Sequence, residues 1–407
     1  MRALVFENSL PRQAITMALA KLTPSAFVGP AAPIQMREVA EPSLPAGDWL
    51  TIETDLCGLC GSDYKQVFLN GAYDNPMTAM VSFPQVLGHE VVGRVASVGA
   101  DVTSRVRGDR VVLNPWLSCV TRGLEPCEWC RKGELAQCLN FRKGALTQGI
   151  HHGNSSQAPG GFAPRLPAHE SQCIAIPDAI SDDEAVLADP FSVSLHAILR
   201  TPPEGDTALV YGCGTLGLLA IAILRDIHPG VRVLAVARYP HQARLAERFG
   251  AERTIVHDPP RQIIEDIAAA TGAEIQEPWR GLPMLNGGVD VIYDTVTSPG
   301  TLEVGVRATR ARGSIVCLGV EIPRRFEWTP LYFKELSLVG SNAFGIEEFD
   351  GRRQHAMEWY FEFIQQRQLD VTPIITHRFG LEQYREAFLA CYHQGTTEAV
   401  KVLFEYS

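Results

Sequence analysis

The chain has 407 residues, 46% of them hydrophobic and 20% charged, a globular composition too long for one core and expected to divide into domains. Acidic residues outnumber basic ones 46 to 36, and the net charge of −10 speaks against nucleic acid or an anionic membrane surface as partner, because each demands a basic footprint. No apolar run is long enough to span a bilayer, and residues 1–8 carry no signal-peptide pattern, so a cytoplasmic protein is expected.

Residues 1–185 are rich in Val, Gly and Pro, with short alternating stretches at 91–98 and 110–113; they predict an irregular, mostly β domain. Residues 11–33 are punctuated by proline, weakly apolar, and fit no clear element. Next comes Cys57-Gly58-Leu59-Cys60-Gly61-Ser62-Asp63, whose C-x-x-C is either a redox pair or a grip for zinc. Gly88-His89-Glu90 and, much later, Asp189-Pro190 offer an imidazole and carboxylates. A thiolate, an imidazole and one carboxylate leave the fourth position on zinc open for water or substrate. Spacing alone does not join these residues, since a lone histidine is more often structural.

Of 10 cysteines, four crowd into one short segment, Cys119, Cys127, Cys130 and Cys138. In a large chain without a secretory context such crowding points to metal rather than disulfides. Four thiolates suit a closed tetrahedral zinc that pins a lobe with little core of its own. Most of the remaining six read as core residues. Residues 146–159, which include His151, His152, Gly153 and Asn154, read as a loop.

From residue 207 the texture changes. Strands are predicted at 207–211, 231–237, 254–256, 289–293 and 314–318, with helices at 216–225 and 240–249. Strand and helix in alternation mean βαβ units and a parallel sheet with helices on both faces. Gly212-Cys213-Gly214-Thr215-Leu216-Gly217 fits G-x-G-x-x-G between a strand and a helix. The first glycine permits the tight turn, the second lets backbone approach a pyrophosphate, and the third lets helix and strand pack closely. The helix start from Thr215 and Leu216 supplies free N–H groups for phosphate. About 20 residues on, where an acid would bind the adenosine ribose, stand Ala237, Arg238 and Tyr239. A guanidinium without a carboxylate favours NADP over NAD; on the plainer reading Arg238 is solvated or stacks on the adenine. The tail predicts helices at 352–366 and 381–393 and a strand at 400–406.

Together, C-G-L-C-G-S-D at 57–63, G-H-E at 88–90, the cysteine cluster, G-G-F-A at 160–163, A-D-P-F-S-V-S-L-H-A at 188–197 and the glycine turn resemble the zinc-dependent medium-chain dehydrogenase/reductase family. The resemblance covers nearly the whole chain and implies an α/β protein. Residues 1–190, completed by 345–407, would form a GroES-like catalytic domain, and 191–344 a doubly wound Rossmann cofactor domain. It implies two zinc ions, one catalytic and one structural. Cys60 and His89 become catalytic ligands, with Cys57 a core neighbour. Ser62 takes the substrate proton, and Asp63 orients the ligand histidine. Glu90 is an alternative ligand or lies just outside the ligand set, and Asp189 stands where relatives place the remaining ligand.

Four departures stand out. Asp189 is one methylene shorter than Glu. Lys65 replaces a relay histidine, and a lysine there either relays protons or binds an anionic substrate or cofactor phosphate. Cys119 lies further from Cys127 than the family's gap. Residues 11–33 and 68–84 look like insertions that border the substrate cleft. The expected activity is oxidation of a primary or secondary alcohol or polyol, or reduction of the matching carbonyl, by hydride transfer to a nicotinamide cofactor. The substrate is a small molecule, and the expected assembly is a homodimer or homotetramer. The competing readings are a zinc-free C=C reductase of the same fold and a non-catalytic nucleotide-binding protein.

Overall fold

The structure, a computed structural model, describes residues 1–71, 75–256, 259–321 and 325–406. It separates into two compact units, Met1–Asp189 with Gln354–Ser407, and Pro190–Arg353.

In the first unit the strand Trp49–Gly58 is the hub. It pairs antiparallel with Glu90–Val98, Arg165–His169 and the C-terminal Lys401–Glu405. The sheet continues outward through Arg110–Leu113 and Cys173–Ala175 on one side and Ile375–Gly380 on the other. Inward positions of these strands are aliphatic or aromatic, among them Leu50, Ile52, Val91, Val95 and Phe404, all buried in one core with Phe162, as strands with one apolar face require. A smaller sheet pairs Arg2–Phe6 with Ile34–Glu38 and Gln85–Val86.

The proline-punctuated stretch at 11–33 is helical. Leu10–Ala20 is an α-helix with proline in its first turn, where the missing N–H costs nothing, and Pro24–Val28 is a 3₁₀ turn. The helix escapes detection because its outer face carries exposed Leu10, Ile15, Met17 and Leu19, so no polar stripe marks its period. Phe27 of the 3₁₀ turn packs on Phe68 at 5.1 Å, and Phe68 on Tyr64 at 4.4 Å and Tyr392 at 5.2 Å. This aromatic cluster ties the segment to the helix Gly61–Val67. Within the second expected insertion, 68–84, residues 72–74 lie outside the described residues.

The second unit is a six-stranded parallel sheet in the order Arg253–Val256, Arg232–Ala237, Thr207–Tyr211, Val289–Asp294, Thr309–Cys317, Ser337–Gly340. The order reverses beside Thr207–Tyr211, which makes the carboxyl end of that strand the topological switch point. Every residue of Thr207–Tyr211 is buried, as a central parallel strand covered on both faces demands. The helices Thr215–Ile227 and Pro240–Arg248 follow their strands as the sequence predicts. Pro260–Thr271 is a further helix that the sequence reading did not single out. Among the described residues no helix is long and apolar enough to cross a membrane.

Candidate functional site

Cys60 follows the hub strand and caps the helix Gly61–Val67. Asp63, in the first turn of that helix, reaches back: Oδ2 accepts from the Cys60 N–H at 3.0 Å, and Oδ1 accepts from the Gly88 N–H at 3.3 Å. One buried carboxylate therefore fastens the two backbone segments that carry Cys60 and His89. Gly88 has φ +87, and a Cβ there would strike the Phe162 ring and the Cys57 sulfur, so only glycine delivers His89 in this direction. Cys57 is wholly buried core; burial, with Asp63 and Glu90 beside it, pushes its thiol well up.

The outcome is that donor atoms of Cys60, His89 and Glu90 all lie within 4.8 Å of one another. Asp189, in the first turn of Ala188–Arg200, lies outside that trio. It is close enough for the charges of His89, Glu90, Lys401 and Asp63 to act on it. Its Oδ2 is buried with no hydrogen-bond partner among the described residues. Burial raises its pKa, with Glu90 and Asp63 adding to the rise and His89 and Lys401 opposing it.

Lys401 is a residue the sequence reading passed over. It is buried in the last strand, with its Nζ on the Glu90 carboxylate and 3.4 Å from the Leu59 carbonyl. The signal was available: one cation inside the apolar run Val400-Lys401-Val402-Leu403-Phe404, where buried charge requires a partner. Asp63, expected to orient His89, stands 3.9 Å from its Nδ1, beyond hydrogen-bond range. Its bonds go to backbone instead.

The charges of this cluster favour a cation. Burial alone would depress the His89 pKa, but the Cys60 sulfur, Asp63 and Asp189 outweigh it and raise it well above the usual imidazole range. A site that draws a proton so strongly onto a neutral-type ligand has a surplus of negative charge. Thiolate, imidazole and carboxylate are the donors of an open zinc site, so these residues fit the metal.

Ser62 is exposed in the first turn of Gly61–Val67, and Lys65 is half-buried one turn on, so the two share a face. The segment read as a loop at 146–159 is irregular, as expected, yet it packs into the site. The His151 ring lies 4.6 Å from that of His89 and 5.8 Å from that of Trp116. Burial, and then His89, push the His151 pKa down to about 3.

The cysteine cluster closes around a second point. Sulfurs of Cys119, Cys127, Cys130 and Cys138 lie within 4.8 Å of one another. Zn–S bonds near 2.3 Å in a tetrahedron place sulfurs about 3.8 Å apart. Cys119 and Cys138 are 3.5 Å apart, far beyond a disulfide bond. The Cys127 N–H and the Asn140 side chain donate to the Cys119 sulfur at 3.3 and 3.2 Å, and the Asn140 N–H to that of Cys138 at 3.3 Å, as suits thiolates. The long gap before Cys127 is spanned by a 3₁₀ turn and left-handed Gly123, so Cys119 joins the set.

In the second unit Gly212 has φ +93 and its N–H donates to the Val236 carbonyl at 2.9 Å. A Cβ on Gly217 would collide with the Gly212 carbonyl, whereas Gly214 faces open space. Asp294 braces the neighbouring strand end, accepting from the N–H groups of Val296 and Thr297 at 3.0 and 2.8 Å. Thr215 and Leu216 open the helix. Arg238 is exposed, its guanidinium 5.3 Å from the Tyr239 ring centre.

A donor set able to hold zinc and a doubly wound nucleotide-type fold, carried on one chain, define the class of zinc- and nicotinamide-dependent dehydrogenases. Comparison with known proteins makes this specific. Residues 46–178 match the alcohol dehydrogenase GroES-like domain, and residues 215–360 the zinc-binding dehydrogenase domain. The chain is 29% identical over 358 residues to an L-threonine 3-dehydrogenase of Escherichia fergusonii, covering 87% of this chain and 92% of that one. An L-threonine 3-dehydrogenase of Saccharopolyspora erythraea is 28% identical over 362 residues, 88% and 92%. The fold is that of 2R,3R-butanediol dehydrogenase from Bacillus subtilis, with TM-score 0.72, 23% identity and coverage of 100% and 99%. It is also that of galactitol-1-phosphate dehydrogenase from Escherichia coli, with TM-score 0.71, 22% identity and 100% of both chains. The chain belongs to the zinc-dependent medium-chain dehydrogenase/reductase family and is an oxidoreductase.

Proposed function

We propose that this enzyme oxidises a primary or secondary alcohol or polyol, or reduces the matching carbonyl. The observation that carries the reading is the meeting of the donor atoms of Cys60, His89 and Glu90 within 4.8 Å, with the buried Asp189 near enough to feel their charges. Cys60 and His89 hold the catalytic ion. Asp189, whose Oδ2 has no hydrogen-bond partner among the described residues, completes the set in preference to Glu90, which Lys401 engages. When bound, zinc acts as a Lewis acid on the substrate oxygen while nicotinamide accepts the hydride.

The chain's own residues bind, orient and move the proton. Ser62 accepts the hydroxyl proton at its Oγ and passes it outward, and Lys65, one turn along the same face, is the next group on that path or a binder of substrate anion. Asp63 keeps Cys60 and His89 in register by holding the backbone of both segments. The backbone N–H groups of Gly214, Thr215, Leu216 and Gly217 bind the pyrophosphate, with Gly212 making the turn. Arg238, with no acid beside it, binds an adenosine 2′-phosphate, which favours NADP over NAD. Cys119, Cys127, Cys130 and Cys138 hold a second, structural zinc. The protein works as a homodimer or homotetramer in the cytoplasm.

The test is a panel of alcohols and polyols, including L-threonine and 2,3-butanediol, each run with NAD and with NADP. Zinc-dependent turnover of at least one alcohol, abolished by a chelator, is expected. Reduction of an activated C=C bond by metal-free protein would overturn the reading.

A further inference from the structure

Asn154 fixes the protonation of its neighbour. Its side-chain oxygen accepts from the backbone N–H groups of Ile150 at 2.9 Å and His151 at 3.1 Å, which settles which end of the amide is nitrogen. That nitrogen lies 2.9 Å from His151 Nε2 and donates to it. An Nε2 that accepts carries no proton, so the ring hydrogen is on Nδ1 and is donated to the His152 carbonyl at 2.6 Å. His151 is thus a neutral imidazole in one tautomer, with both ring nitrogens engaged inside its own loop. The loop is tied down in turn, by a backbone bridge between Trp116 and His151 and by the His152 N–H donating to Pro115 at 2.9 Å.

His89, by contrast, lacks the usual fastening. A metal-ligating histidine normally donates its second ring N–H to a carboxylate, carbonyl or water, which fixes the ring's orientation. Here Nδ1 of His89 is buried with no hydrogen-bond partner among the described residues, and Asp63 is 3.9 Å away. What touches the ring instead is His151, with centroids 4.6 Å apart and planes at 50°.

We propose that His151 is a positioning residue: its locked, neutral ring packs against His89 and holds that imidazole in its ligating orientation. It is neither a zinc ligand nor a proton carrier, because both nitrogens are spent on Asn154 and His152. The inference rests on the reading of His89 as a zinc ligand, and the experiment separates the two.

The measurement is the visible absorption of the cobalt-substituted protein, together with the rate at which a chelator strips the metal. His89→Ala identifies the part of the spectrum that belongs to this site. His151→Leu, which keeps apolar volume but no ring, should shift that band and speed metal loss on the order of tenfold. His151→Phe, which keeps a ring but no nitrogen, should retain the wild-type band and rate. An unchanged His151→Leu, or a His151→Phe that behaves like it, overturns the positioning role. An unchanged spectrum in His89→Ala overturns the zinc reading itself, and this inference with it.

Discussion

Lys401 and Glu90, 311 residues apart in sequence, meet in the interior of the first unit with the ammonium on the carboxylate. Both are almost wholly buried, at 1% and 2% side-chain exposure. Two charges survive such burial only together, since each alone faces the full loss of hydration. Lys401 reaches Glu90 across Gly58, where any Cβ would strike both side chains. Lys401→Met should therefore destabilise the protein by about 3–5 kcal/mol, the cost typical of orphaning a buried charge. Glu90→Leu added to it should restore much of the loss. Urea unfolding of the single and double variants checks this; equal losses in both would mean that the pair is not the source.

On the proposed reading, the same pair leaves Asp189 as the third donor. Glu90→Gln should leave two zinc ions per chain, whereas Asp189→Asn should lower affinity at one site while leaving the other filled. Elemental analysis after dialysis against a weak chelator reads both, and zinc lost from Glu90→Gln but kept by Asp189→Asn would reverse the assignment.

Gly217→Ala places a methyl group against the Gly212 carbonyl. Forced packing of this kind costs about 1–3 kcal/mol, so cofactor affinity should fall roughly tenfold or more if the turn opens to make room. Fluorescence titration with the reduced cofactor measures it, with zinc content as the control that should not move.

Arg238→Ala should weaken NADP and spare NAD. A hydrogen bond to a charged group contributes about 1.5–3 kcal/mol, so the ratio of kcat/KM values should shift toward NAD on the order of tenfold or more. An unchanged ratio would leave Arg238 as a solvated residue beside Tyr239.

Lys334 supplies a pH dependence away from the site. Its buried Nζ donates to the carbonyls of Arg307 at 2.8 Å and Thr309 at 2.7 Å, and burial, with Arg307 adding to it, lowers its pKa to about 8. The folded pKa lies below the unfolded one, so the unfolded chain binds more protons between about pH 8 and 10.5, and stability contributed by this group rises across that window. Below about pH 8 the lysine is charged in both states and the contribution is flat. Lys334→Met should lose that rise relative to wild type when unfolding is compared at the two ends of the window.

Much of the second unit was legible because its strands are short, apolar and bounded by turns, and because its G-x-G-x-x-G falls between a predicted strand and a predicted helix. Strand 207–211 and the helix after Gly214 follow from that pattern alone. The four crowded cysteines stood out from their spacing, whereas Cys60 and His89 could be joined into one candidate site only through resemblance, since nothing local links them; the backbone clamp made by Asp63 does so in three dimensions. Lys401 stands out as the one cation in the apolar run 400–404, but its partner, 311 positions away, is visible only in the fold. His151 lies in irregular backbone, as the sequence predicts, and such backbone has no periodicity to reveal that the residue packs against His89. The helix at Leu10–Ala20 was obscured by its apolar outer face.

Zinc content measured alongside cofactor binding in wild type and Cys60→Ser tests the proposed catalytic centre most directly. Two zinc ions in wild type, one in the variant, unchanged nicotinamide binding and no alcohol turnover are predicted. A Cys60→Ser protein that keeps both ions and full turnover would contradict it.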